Sequence, residues 1–316
     1  MDHGEHGTMT DLPPFTLSRA LEFSPDAFFL VGCLLALALY GWGVVRLRGR
    51  GDSWSPGRTI SFVLGVLTVV LTMCTALNDY GMVMFSVHMV QHMVISMVSP
   101  ILLLLGAPVT LALRALPVAG RGRKGPRELL LALLHSRFMR FVSHPAFTIP
   151  LFIASLYGLY FTPLFDFLME SKPGHIAMMV HFLATGLIFF WPIIGVDPGP
   201  HRPGYLMRML ELFAGMPFHA FFGIALMMAS EPMVRAYENP PASLGVDALS
   251  DQNAAGGIAW AFSEIPSVLV LVALVYQWYR SDQRQAKRSD RAADRDGDKE
   301  LAAYNAYLAS LQTRGQ

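Results

Sequence analysis

The chain has 316 residues, of which 53% are hydrophobic and 15% charged, and its mean hydropathy is +0.42. Soluble domains carry about 25% charged residues, so this balance excludes an ordinary soluble domain and points to a membrane protein. The formal net charge of +1 offers no footing for nucleic acid, and two cysteines, Cys33 and Cys74, both in apolar stretches, imply no disulfide framework.

Residues 1–26 form a polar, mildly acidic tail. It lacks a basic start followed by a short apolar core, so no cleavable signal is read and the first span is expected to insert by itself. Its opening, Met1-Asp2-His3, offers an amine, two backbone amides and an imidazole in a pattern that suits a square-planar cupric ion, with His6 and Met9 close behind. A plain polar tail is the alternative.

Seven apolar runs long enough to approach a ~30 Å hydrocarbon layer follow. They are Ala27–Val45, Ile60–Leu77, Met82–Leu105, Ala146–Phe161, Ile176–Ile194, Tyr205–Ala229 and Ile258–Tyr279. The fourth is the weakest, because Pro150, Pro163 and its aromatic-rich ends leave only a short run. The expected fold class is all-α, a polytopic bundle of about seven transmembrane helices over residues 27–280, followed by a charged tail at 281–316. Arginine and lysine crowd alternate loops: Arg46, Arg48, Arg50 and Arg58, then Arg114 to Arg140, then Arg202, then the tail after Tyr279. Such loops face the cytoplasm, which places the N-terminus outside, the C-terminus inside and the chain in a bacterial plasma membrane. Between the third and fourth spans, Leu130, Leu133, Leu134, Phe138 and Phe141 recur at helical spacing beside arginines, as in a helix lying on anionic lipid. In the tail, Leu301, Tyr304, Leu308 and Leu311 make a weaker amphipathic pattern.

The third run carries the most telling residues, since His88, Gln91 and His92 sit among Met, Val, Ile and Leu. An ionisable group at that depth faces the protein interior or a cavity and is by default a functional candidate, and the i, i+4 spacing aims both imidazoles the same way. At ~1.5 Å per residue, His88 lies ~9 Å and His92 ~15 Å below the outer face, His181 ~8 Å, His219 ~15 Å and Glu264 ~9 Å. Imidazole is a common transition-metal ligand and thioether suits cuprous copper. The expected metal set is therefore His88, His92, His181 and His219 with Glu264 in support, and with Met84, Met178 and Met216 as neighbouring sulfurs. Most of the 18 methionines fill gaps between helices, and the bland reading of each histidine is an interhelical hydrogen bond. Asn78, Asp79, Asp251 and Gln252 either line an entrance or cap helices.

These residues also carry a family resemblance. The stretch HMVQHMVISMVSPILLLLGAP at 88–108, preceded by Asn78-Asp79, resembles the signature of the multi-span CtaG family of cytochrome c oxidase assembly factors. The similarity continues through His144-Pro145, His181 with Phe190-Trp191-Pro192, the stretch Pro217 to Gly223, and Asp251-Gln252 with Gly256-Gly257 and Trp260. It covers about residues 27 to 280. A single-span copper chaperone that shares the label is unrelated, and its cysteine chemistry is not transferred.

The resemblance implies a non-enzymatic membrane factor that matures a haem-copper oxidase by handling copper, with the four histidines as candidate ligands. Its implied partners are cytochrome c oxidase subunits, other copper chaperones and membrane lipid. Two further readings stand beside it. One is a membrane cytochrome with His92 and His219 as axial haem ligands, and the other is a purely structural assembly scaffold.

Overall fold

A computed structural model describes residues 12–120, 123–200, 203–296 and 299–314. The copper-compatible start of the chain (Met1 to Met9) and the loop arginines Arg121 and Arg202 lie outside the described residues. Among those described, the fold is all-α, with one isolated bridge between Phe23 and Thr75 as the only β pairing. The chain divides into two units, Met1–Val270 and Leu271–Gln316.

In the first unit a short helix, α1 (Leu17–Ala20), leads into α2 (Ala27–Gly49) and α3 (Pro56–Met73). After α4 (Leu77–Gly81) comes the broken third span: α5 (Phe85–Met93), a π-helical turn at Val94–Val98, α6 (Ser99–Leu105) and α7 (Pro108–Ala115). Two short helices, α8 (Pro126–Leu134) and α9 (Arg137–Val142), precede α10 (Pro145–Tyr160). The unit continues with α11 (Leu164–Met169), α12 (Lys172–Ile194), α13 (Tyr205–Met228) and the start of α14 (Ala248–Asp296). In the second unit α14 runs out through exposed Arg280–Arg291 and is followed by α15 (Lys299–Arg314), where Tyr304, Tyr307, Leu308 and Leu311 are exposed.

Among the described residues, six helical segments are long and apolar enough to cross a membrane. The seventh expected span, α10, has 16 residues, or ~24 Å of helix, against a core of ~30 Å. Pro163 stops its continuation. Each crossing helix turns one face outward, as in α2, where Leu34, Leu35 and Leu39 are exposed while Cys33, Tyr40 and Leu47 are buried. That is the sidedness expected when the surrounding solvent is lipid.

The third span packs between α3 and α12, and its irregularity has local causes. Pro100 has no N–H to give the carbonyl of Ser96, and the ladder widens so that Ser99 N–H bonds to Val94 O, five residues back. α12 approaches this loosened turn through Gly186, where any Cβ would strike Ser96 O and would lie 2.6 Å from Pro100 Cγ. At the far end, Ala107 adopts φ 52° and Pro108 starts α7. Gly106 fits against Phe62, and its carbonyl accepts from Tyr40 Oη at 2.8 Å. The Gly-Ala-Pro stretch is thus a corner.

Gly186→Ala is expected to destabilise the protein by about 1–3 kcal/mol through overpacking. Gly41→Ala, at a glycine with open space around it, is expected to leave the detergent melting temperature unchanged; equal behaviour of the two variants would show that this helix contact is not tight.

Candidate functional site

The N-terminus of α5 is fixed from a distance in sequence. Asp251 of α14, buried, accepts from Phe85 N at 2.5 Å and Ser86 N at 3.3 Å, and also bonds the Ser86 hydroxyl. A carboxylate at a helix N-terminus satisfies free N–H groups and suits the helix dipole. Gln252 beside it accepts from Met233 N at 2.7 Å. Asp79 accepts from Ser24 Oγ at 2.8 Å, while Asn78 Oδ1 is buried without a partner. Asp251 and Gln252 therefore serve as structural caps.

From this fixed start α5 carries His88 and His92 inward, fully or nearly fully buried. His88 Nε2 is 3.0 Å from Tyr160 Oη of α10, and its ring centroid lies 6.1 Å from that of His175. His92 meets Phe182 edge to face at 4.0 Å, and its centroid is 6.4 Å from that of His219 on α13. Tyr160 stands between the two histidines of α5, 6.0 Å from one ring and 5.7 Å from the other. The result is two imidazole pairs, His88 with His175 and His92 with His219.

Aromatic rings enclose both pairs. Phe165 approaches His88 at 5.1 Å, Phe152 approaches His219 at 5.1 Å, and Tyr237 lies 6.0 Å from His88 while its hydroxyl donates to Gly81 O. Burial pushes the Tyr237 phenol well above its ordinary range, so it stays protonated beside the site. Three ring nitrogens have no protein partner although they are buried: His88 Nδ1, His92 Nδ1 and His175 Nε2. His219 hydrogen-bonds the backbone of Gly215, which orients its ring.

The expected residues do not all meet. His181 is exposed on α12, and its Nε2 lies 2.8 Å from Ser155 Oγ. Ser155 gives its proton to Leu151 O at 2.7 Å, so its oxygen accepts from the imidazole. Glu264 is exposed, because α14 turns its neighbours Ser263 and Ser267 inward. Met84 belongs to an apolar cluster with Tyr80, Val87 and Leu244; Met178 is buried on the inward face of α12, and Met216 is partly buried on α13. Among the described residues no three His, Cys, Asp or Glu side chains converge on one point.

His175 takes the place expected of His181. The fifth span does not start at its first apolar residue, Ile176, but at Lys172, capped by Ser171. Six residues separate His175 from His181, a rotation of about 240°, so they cannot share a face. The spacing of His175, Met178, Met179 and Phe182 at i, i+3, i+4 and i+7 is the signal that marks the inward stripe.

The profile of the family described as cytochrome c oxidase caa3 assembly factor (Caa3_CtaG) matches residues 38–281. The chain belongs to that family. It is 50% identical over 307 residues to uncharacterized proteins of Mycobacterium bovis and Mycobacterium tuberculosis, covering 95% of this chain and 46% of each relative. An uncharacterized protein of Mycobacterium leprae is 50% identical over 277 residues, 86% of this chain and 42% of that one. The chain thus spans about half the length of these curated relatives, and no solved structure matches it. All four paired histidines of this family member fall within the matched residues.

Asp251→Ala is expected to lower stability by about 1–2 kcal/mol through loss of the α5 cap. Asp251→Asn, which keeps an acceptor, should cost less. Thermal unfolding in detergent checks the order, and equal stability of all three proteins would remove the capping role.

Proposed function

We propose that this chain serves the assembly of a cytochrome c oxidase by holding a copper ion, its cargo, at the buried histidine pairs and passing it to an oxidase subunit. The observation that carries this reading is the pairing itself: buried imidazoles with centroids 6.1 and 6.4 Å apart and ring nitrogens without protein partners. A metal ion between two facing imidazole nitrogens, at about 2.0 Å from each, sets the ring centroids roughly 6 Å apart. Two-coordinate binding of this kind suits the cuprous ion, which tolerates low coordination and soft surroundings.

Tyr160 fits the same chemistry. The direction of the His88 Nε2–Tyr160 hydrogen bond depends on the tautomer; in the tautomer with the proton on Nε2, that N–H donates to the Tyr160 oxygen and the Nδ1 lone pair is left for a cation. Passing the ion from one pair to the other requires only exchange of nitrogen ligands across Tyr160, with no catalysis. A haem between His92 and His219 does not fit: the space beside these rings, lined by Phe152 and Phe182, is about 10 Å³, whereas pockets for drug-sized ligands begin at roughly 300 Å³. The plasma membrane as location, the cytoplasmic C-terminus and docking to oxidase subunits or other copper chaperones belong to the same proposal and follow from the charge pattern and the family.

His88→Ala/His92→Ala is expected to weaken cuprous binding by the purified full chain by more than about tenfold, roughly 1.4 kcal/mol or more. The same variant should abolish oxidase activity in host membranes while leaving the protein inserted. Undiminished copper affinity together with normal oxidase activity would overturn the reading.

A further inference from the structure

A cavity of about 850 Å³ lies at the histidine end of the bundle, outside the paired imidazoles. Three methionines from three separate elements line it: Met82 after α4, Met169 at the end of α11 and Met233 in the loop after α13. Asp166 and Glu170 share the wall, and the buried Tyr160 lines it too. Arg235 is the cation among the lining residues, and Asp166 is held in place by Ala236 N at 3.0 Å.

Each component has a use. Thioether sulfur binds soft cations and is always unprotonated, so it offers itself as a ligand at any pH. Two carboxylates against one guanidinium leave the wall with a net negative formal charge, which raises the local concentration of cations. Tyr160 belongs both to the cavity and to the site, since its hydroxyl touches His88 Nε2 at 3.0 Å. Hard divalent ions prefer all-oxygen shells of six or more ligands; a wall that mixes three thioethers with two carboxylates suits a soft monovalent ion instead.

We propose that this cavity is a receiving site for a soft monovalent metal cation, bound by Met82, Met169 and Met233 before Tyr160 admits it to His88, an assignment that rests on copper being the cargo. None of the methionines expected from sequence to serve the metal is among them. The cavity sulfurs sit on loops and helix ends: Met82 opens the third apolar run after α4, and Met169 and Met233 lie outside the seven runs.

The test uses the full chain in detergent with methionine methyl groups labelled with 13C, titrated with silver(I) as a redox-inert stand-in and read by NMR. Single Met→Leu variants assign the signals, and Met207, exposed on α13 away from the cavity residues, is the control. The expected result is that the Met82, Met169 and Met233 methyls shift together and saturate, in the wild type and in His88→Ala/His92→Ala alike, while Met207 stays. Shifts confined to the wild type would make these methyls reporters of the histidines and overturn a separate receiving site. Silver binding that needs the histidines but moves none of the three methyls would overturn the receiving site and leave the histidine proposal standing. No binding at either place would sink both.

Discussion

Hydrocarbon offers no hydrogen-bond partner, so each polar group inside the bundle is either satisfied by the protein or left for a ligand. Along the third span most are satisfied. Gln91 Nε2 donates to Thr72 O at 2.9 Å, Ser96 Oγ donates to His92 O at 2.7 Å, and Ser99 pairs with Thr68 at 2.8 Å. The exceptions on this span are Nδ1 of His88, Nδ1 of His92 and Gln91 Oε1, joined by Nε2 of His175 on α12; Thr59 Oγ1, Asn78 Oδ1 and Trp191 Nε1 are likewise buried without a partner elsewhere in the bundle. Glu211, with both carboxyl oxygens buried and unpartnered, lies about two turns from His219 along α13 and belongs to a different level of the bundle.

Holding those exceptions in place falls to carboxylates and glycines from remote parts of the chain. Asp251 caps α5 at the histidine end, and Asp197 caps α7 at the basic end by accepting from Val109 N at 3.1 Å and Thr110 N at 2.7 Å. Both ends of one broken span are thereby tied to other helices or loops. Glycines set the depth of contact, with Gly186 against the π turn and Gly223 facing Gly256, where an added Cβ would lie 2.5 Å from the opposing carbonyl. The His88 and His92 rings inherit their positions from these contacts, and a shift of either helix would alter the separation within a pair.

Much of this was legible from residue order. Period, length and apolar content mark the spans, and the i, i+4 histidines do face inward. What escaped sequence reasoning depends on rotation and on neighbours. His181 and His175 differ by a fraction of a turn that hydropathy does not register, and the span's true start is set by Ser171, a polar cap beyond the apolar run. Glu264 is assigned by depth alone, yet it is exposed on α14, for depth follows from counting while azimuth depends on which neighbour each helix meets. Tyr160 and Phe182, which enclose the site, read in sequence only as two more aromatics among 31 phenylalanine and tyrosine residues. The π turn arises from Pro100 acting with Gly186 of another helix, and no local window contains both.

His181 and its buried counterparts differ in how their ring nitrogens are met. His181 shows what a histidine does when it only ties helices together: its ring nitrogen is matched to Ser155, and the side chain stays partly outside. His88, His92 and His175 are buried with nitrogens unmatched, at a cost of about 1–3 kcal/mol for each orphaned polar atom. Phenylalanine at 92 would leave no such ring nitrogen, whereas phenylalanine at 88 would also strip the buried Tyr160 hydroxyl of its 3.0 Å partner. The proposed copper ion would meet those nitrogens. Ring centroids 6.1 and 6.4 Å apart leave room within each pair for the copper ion proposed above.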